Sequence, residues 1–231
     1  MIRGIIEASF LDWDGKVVMT LYTPNCNFRC PFCHNWELID NPERYPEKSW
    51  EDIEAFFDEH GDFLDGVCIT GGEPLLEPDL EEWLGKVKAM GKLVKLDTNG
   101  SMPDRLADLI EKKLIDYIAM DFKAPLDDRY AAATGISVDV DAVERSIDII
   151  RKSGIDHEFR TTVVPGIHTK EDVVEIAKYL DGEKYAIQQF VPYHALDEKL
   201  RDVKPYDNEI ILDMADECSK YVGEMVVRGL R

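Results

Sequence analysis

The sequence predicts an α/β fold, a partial (βα)6 barrel of six parallel strands with outer helices, and three observations point there. Short β-rich runs alternate with amphipathic helical stretches from one end of the chain to the other, the pattern of repeated βα units around a parallel sheet. The length of 231 residues suits one barrel-like domain spanning residues 1–231, with no internal repeat, linker or low-complexity tract to divide it. Hydrophobic residues make up 45% of the chain and aromatics 10%, ordinary globular usage that can bury a substantial core.

The strand candidates are residues 16–22, 66–70, 93–98, 117–122, 157–164 and 185–191, each a run of strand length followed by loop residues. The helices between them carry their own punctuation. Ser49 with Asp52 and Thr169 with Asp172 have capping-box spacing, Pro103 suits a first helical turn, and Gly91 and Gly154 suit helix ends. A last helix at about 207–221 precedes a β-like run, 224–228, that reads as an added edge strand. In an open barrel of parallel strands, chemistry is expected at the strands' C-terminal ends.

Composition narrows the function. The 47 acidic residues against 27 basic ones give a formal net charge of -20, which repels phosphate backbones and argues against a nucleic-acid partner. That charge is spread through helix-like segments, as solvated faces, rather than gathered in a tail. No apolar run approaches the roughly 20 residues that span a bilayer, and Met1 to Phe10 lacks a basic-then-apolar signal pattern. A cytoplasmic protein without a membrane partner is the expectation. Five cysteines, three of them close together, suit metal ligation in a reducing compartment better than a disulfide framework, with Cys68 and Cys218 as spares.

After the first predicted strand comes Cys26-Asn27-Phe28-Arg29-Cys30-Pro31-Phe32-Cys33-His34-Asn35, a C-x3-C-x2-C spacing on a loop that can wrap a cluster. Three thiolates hold three irons of a cubane; the absent fourth leaves one iron open to a chelating ligand. The competing reading is a zinc knuckle of Cys26, Cys30, Cys33 and His34, since gaps of this size also suit zinc. His34 adjoins Cys33 and is poorly placed to reach the same ion, and Cys68 falls inside a predicted strand.

These ten residues closely resemble the signature of the radical S-adenosylmethionine superfamily, with aromatic Phe32 just before the third cysteine. Within it, the chain is most similar to glycyl-radical activating enzymes, in particular the short anaerobic ribonucleotide reductase activating proteins related to pyruvate formate-lyase activating enzyme. The resemblance implies one 4Fe–4S cluster on Cys26, Cys30 and Cys33, with S-adenosylmethionine on the open iron. Thr70-Gly71-Gly72-Glu73-Pro74 matches the family's GGE motif, whose glycines let backbone approach the methionine amino group while the Glu73 carboxylate accepts from it. By the same resemblance Asp97, Thr98, Met120 and Asp121 surround a monovalent cation, Na+ or K+, Thr98 and Met120 through backbone oxygens and Asp97 and Asp121 through carboxylates, and Lys123 lies near the ligand's charged end. Arg160 is expected on the ligand carboxylate, His194 on the ribose, and Phe32, His34 and Asn35 along the adenine.

Without the resemblance, the same residues have plainer readings. Asp97-Thr98-Asn99-Gly100 is a turn, Asp121 and Lys123 an ion pair, and Arg160 a partner of Glu158 or Asp121. His194 is then a buried structural histidine, and His168 an exposed loop residue.

The activity implied is reductive cleavage of S-adenosylmethionine to a 5'-deoxyadenosyl radical, which takes hydrogen from a glycine of a partner glycyl-radical protein, with anaerobic ribonucleotide reductase the expected substrate. A flavodoxin or ferredoxin would supply the electron. An alternative is a radical S-adenosylmethionine enzyme acting on a small molecule or installing another modification; a third is an iron–sulfur carrier indifferent to that ligand.

Overall fold

The computed structural model describes residues 1–230, and the predicted domain limit at Arg231 lies outside the described residues. Eight strands join one sheet in chain order: β1 (Gly4–Ser9), β2 (Val18–Thr23), β3 (Gly66–Gly71), β4 (Leu93–Thr98), β5 (Tyr117–Asp121), β6 (Asp156–Val163), β7 (Lys184–Gln189) and β8 (Glu224–Arg228). The six strands read from the sequence are β2 to β7, all parallel, and the added edge run is β8, parallel to β7. The antiparallel β1, paired with β2 through Gly4↔Tyr22 and Ile5↔Leu21, is additional. Its signal was present in the dipeptide Asp14-Gly15, a favoured hairpin turn: Lys16 N donates to Trp13 O and Gly15 takes φ +73°.

The outermost strands β1 and β8 do not pair with each other, so the sheet curls into a barrel without closing. At the base of the gap the β1–β2 turn reaches across it, Asp14 accepting from Arg228 Nη2 at 2.8 Å.

Helices α1 (Trp36–Asp40), α2 (Trp50–His60), α3 (Leu80–Ala89), α4 (Pro103–Glu111), α5 (Arg129–Thr134), α6 (Val140–Ser153), α7 (Lys170–Leu180) and α8 (Asn208–Cys218) occupy the connections. Both capping boxes form: Ser49 Oγ accepts from Asp52 N at 3.1 Å, and Thr169 Oγ1 from Asp172 N at 3.2 Å. Pro103 opens α4, and Gly154 ends α6 in the left-handed region.

Strand period two separates the sheet's faces. Met19, Leu21, Val67, Ile69, Val94, Leu96, Ile118, Met120, Phe159 and Ile187 point outward into the core shared with the helices. Each such burial is worth about 1.5–3 kcal/mol. The intervening residues fill the barrel. Near its base Trp13, Val18 and Cys68 form a small apolar plug with Leu93 and Tyr117 against it, and above the plug the interior is polar, with Lys95, Asp97 and Arg160 joined by ion pairs.

Candidate active site

A cleft of about 340 Å³ opens at the C-terminal ends of the parallel strands. The loop after β2 brings Cys26, Cys30, Phe32, Cys33, His34 and Asn35 to it; β3 and its turn bring Gly71 and Gly72, β4 Asp97 and Thr98, β5 and its exit Asp121 and Lys123, and β6 Arg160. Residues spread over 135 positions of sequence thus meet because parallel strands place all their C-terminal ends on one rim.

The cysteine loop is held by backbone. Gly72 N donates to Thr23 O at 2.8 Å, Glu73 N to Asn25 O at 2.6 Å, and Asn35 Nδ2 to Gly71 O at 2.8 Å. A Cβ on Gly72 would lie 2.0 Å from Asn25 O, and Gly71, at φ +117°, packs against Thr23. The glycines of the GGE run therefore let the cysteine loop approach the strand end, a role the sequence reading did not give them.

Burial pushes the Cys26 and Cys30 thiols up to about 11 and raises Cys33 as well, and the three thiols interact electrostatically with one another. Bound iron would supply the positive charge that brings these thiols to thiolate. No three His, Cys, Asp or Glu side chains among the described residues converge on a point where one metal ion could sit. His34 is engaged elsewhere, its Nε2 lying 2.5 Å from Val191 O. Three thiols around one cleft, with His34 turned to Val191, fit a cluster that three cysteines can hold better than a zinc knuckle, which needs a fourth ligand.

Glu73 does not line the cleft. Fully buried, it accepts from Leu75 N at 3.0 Å, Thr98 Oγ1 at 2.9 Å and Asn99 N at 2.6 Å, and burial outweighs these donors to raise it to about 7. Its side chain clamps the β3 exit to the β4 exit, so the expected acceptor for a ligand amine is already occupied within the protein.

Between Asp97 and Asp121, where the resemblance implies a monovalent cation, lies the Arg160 guanidinium: Nη1 donates to Asp97 Oδ2 at 3.0 Å and Nε to Asp121 Oδ1 at 2.9 Å. Lys95 pairs with Asp97 at 2.6 Å and Lys123 with Asp121 at 2.8 Å. Burial alone would raise both carboxyls, but the charges of Arg160 with Lys95, and of Arg160 with Lys123, hold them down, Asp121 to about 2. Two carboxylates already answered by three cationic side chains do not fit a further cation. Met120, expected to contribute its backbone oxygen, keeps its side chain on the helix face beneath Gly100, as that role allows.

Two histidines reverse the burial expected of them as plain structural residues. His194 is outside the cleft and 40% exposed, 3.9 Å from Glu37, beside a smaller cavity of about 180 Å³ that shares His34 and Asn35 with the main one. His168 is buried rather than exposed: Nδ1 accepts from Val164 N at 3.1 Å and Nε2 donates to the Lys123 carbonyl at 2.7 Å, and burial lowers its pKa.

The cleft also contains Asn99, Thr162, Gln188 and Gln189, which the sequence reading did not single out. Period two from Arg160 gives Thr162, and the β6–β7 register sets Gln188 opposite it. Gln189 donates to Tyr206 O at 2.6 Å while its buried Oε1 has no partner among the described residues.

The pattern that defines the radical SAM superfamily matches residues 20–180. The chain belongs to that superfamily. As a radical SAM enzyme it is 33% identical over 239 residues to a Methanocaldococcus jannaschii protein named "putative glycyl-radical enzyme activating enzyme", covering 100% of this chain and 96% of the other. It is 27% identical over 237 residues to the pyruvate formate-lyase-activating enzyme of Clostridium pasteurianum, covering 92% and 93%. Among solved structures, Streptococcus suis SuiB bound to S-adenosylmethionine superposes with a TM-score of 0.67 at 16% identity, covering 90% of this chain and 49% of that one. At that identity the likeness is one of fold, and it matches the partial barrel. No helix among the described residues is long and apolar enough to cross a membrane.

Proposed function

We propose that this radical SAM enzyme activates a glycyl-radical protein, with an anaerobic ribonucleotide reductase as the substrate. Cys26, Cys30 and Cys33 would hold a 4Fe–4S cluster whose open iron takes S-adenosylmethionine; bound together, they supply a one-electron cleavage yielding a 5'-deoxyadenosyl radical. The observation that carries the reading is the meeting of these three thiols with Lys123, Arg160 and the Gly71–Gly72 turn around one cleft, and the full-length similarity to activating enzymes narrows it to activation.

The chain's own residues bind, orient and exclude. Lys123, its Nζ 6.0 Å from the Phe32 ring centre, places a positive charge where a ligand carboxylate can sit over an apolar wall. Asp121 neutralises part of that charge and fixes the ammonium. The unpaired edges of β1 and β8 leave a flank of the barrel through which a glycine loop can approach. A flavodoxin or ferredoxin is the proposed electron donor, and five free cysteines suit the reducing cytoplasm as the place of action.

The test is anaerobic incubation of the reconstituted protein with the candidate reductase, reductant and S-adenosylmethionine. A doublet glycyl signal by electron paramagnetic resonance supports activation. Abundant 5'-deoxyadenosine formation stimulated by a metabolite, with no such doublet, would instead indicate a small-molecule substrate.

A further inference from the structure

One cysteine of the three carries a side-chain hydrogen bond from outside its own loop. Asn99, at the exit of β4, directs Nδ2 at Cys26 Sγ, 3.9 Å away, within the longer range that sulfur's radius allows. The same sulfur takes the Phe28 backbone N–H at 3.4 Å.

The Asn99 amide is held in that orientation by a closed ring of hydrogen bonds. Asn99 Nδ2 donates to Asn27 Oδ1 at 2.9 Å, Asn27 Nδ2 donates to Ser101 Oγ at 2.8 Å, and Ser101 N donates to Asn99 Oδ1 at 2.9 Å. Turning the amide over would set its oxygen against both Asn27 Oδ1 and the Cys26 sulfur, and would lose the Ser101 donor. The backbone of Asn99 is fixed as well, since its N–H donates to the buried Glu73 carboxylate at 2.6 Å. Glu73 of the GGE run thus acts on the cysteine loop through Asn99, from behind the cleft wall.

A hydrogen bond to a cluster-ligating thiolate stabilises the more negative, reduced state, and such bonds are among the features that set cluster potentials. We infer that Asn99 is a positioning residue that raises the reduction potential of a cluster bound at Cys26, with Asn27 and Ser101 holding its amide in place. The inference rests on the cluster reading of the site. It assigns a function to a residue that neither carries charge nor ligates.

The test is a redox titration of the anaerobically reconstituted protein, without S-adenosylmethionine, followed by the electron paramagnetic resonance signal of the reduced cluster. Loss of an outer-shell partner commonly costs ten- to a hundredfold in metal affinity or activity, and the lower figure is carried over to the redox equilibrium. Asn99→Leu is expected to lower the midpoint by about 59 mV, the tenfold change in a one-electron equilibrium, with four irons retained. Asn27→Ala, at an exposed residue, should shift it the same way by less, because the amide is loosened rather than removed. An unchanged or higher midpoint in Asn99→Leu with its cluster intact overturns the inference. Should Asn99→Leu fail to keep the cluster, Asn27→Ala decides alone: a drop sustains the inference and an unchanged midpoint overturns it. Wild-type protein that takes up no cluster overturns both this and the reading of the site.

Discussion

Replacing Arg160 with glutamine removes the side chain that joins Asp97 to Asp121. Breaking a buried ion pair by deleting one partner costs about 3–5 kcal/mol. Here each carboxylate keeps a lysine, Lys95 at 2.6 Å and Lys123 at 2.8 Å, so the expected cost lies at the lower end, about 3 kcal/mol. With a urea slope of about 2–3 kcal/mol per molar, the unfolding midpoint should fall by about 1–1.5 M. Arg160→Lys retains the charge but loses the fork that reaches both carboxylates, and should recover about half of the loss. Because the guanidinium already answers the pair, exchanging Na+ and K+ for choline at constant ionic strength should leave the wild-type midpoint unchanged. In Arg160→Gln, by contrast, K+ should restore part of it. A midpoint shift below about 0.3 M in the glutamine variant, or wild-type stability that depends on Na+ or K+, would refute this account of the site.

Gly72→Ala places a Cβ 2.0 Å from Asn25 O, so the cysteine loop must shift; iron and sulfide content after reconstitution should fall well below wild type while the far-ultraviolet circular dichroism is kept. Cys30→Ser should likewise lose the cluster, whereas Cys68→Ser, altering a thiol in the barrel interior 3.8 Å from Asp97, should retain four irons. Acid should destabilise the protein in two windows. His168 is buried neutral with a lowered pKa, so its contribution is complete above the ordinary histidine value of about 6.5 and is lost as pH falls below it, an effect that His168→Gln should remove. Asp121 is held at about 2, so its contribution, about 2 kcal/mol, is present above about pH 4 and is lost as pH falls through 2; denaturation curves of Asp121→Asn should lack that segment.

The parallel strands, the capping boxes and the cysteine loop were legible because each depends on local pattern: period two, a fixed i to i+3 spacing, a C-x3-C-x2-C run. What escaped was set by distance. Glu73 looked like a ligand-binding carboxylate because sequence shows its residue type but not its direction; it faces Asn99 N, 26 positions on. Arg160 had three readings in the sequence, on a ligand, on Glu158 or on Asp121; the β5–β6 register sets Asp121 beside it, and its guanidinium joins Asp121 to Asp97. His168 follows Pro165-Gly166 and reads as surface loop, yet its ring binds the Lys123 carbonyl 45 positions away. Asn99 carries no charge and sits in a turn-like run, so nothing local distinguishes it from a turn asparagine.

The same register explains how a charged network fits inside a barrel. On the interior face, Glu158 lies opposite Ala119 of β5, and Arg160 lies between Asp121 of β5 and Ala186 of β7. Both alanines are completely buried, and their small side chains leave room for a long glutamate and a guanidinium at the same level. Glu158 is answered from the edge strand by Arg228 at 2.8 Å, which also bonds Asp14 across the open flank. The interior therefore holds an ion pair at its base, Glu158–Arg228, and the linked group Asp97–Arg160–Asp121–Lys123 at the rim, with opposite charges in contact within each. Hydrophobic residues of similar volume could fill this space at no loss of stability. A strand face kept polar without a gain in stability is what the proposed function asks of the rim, where Lys123, fixed by Asp121, would present positive charge to an anionic ligand group.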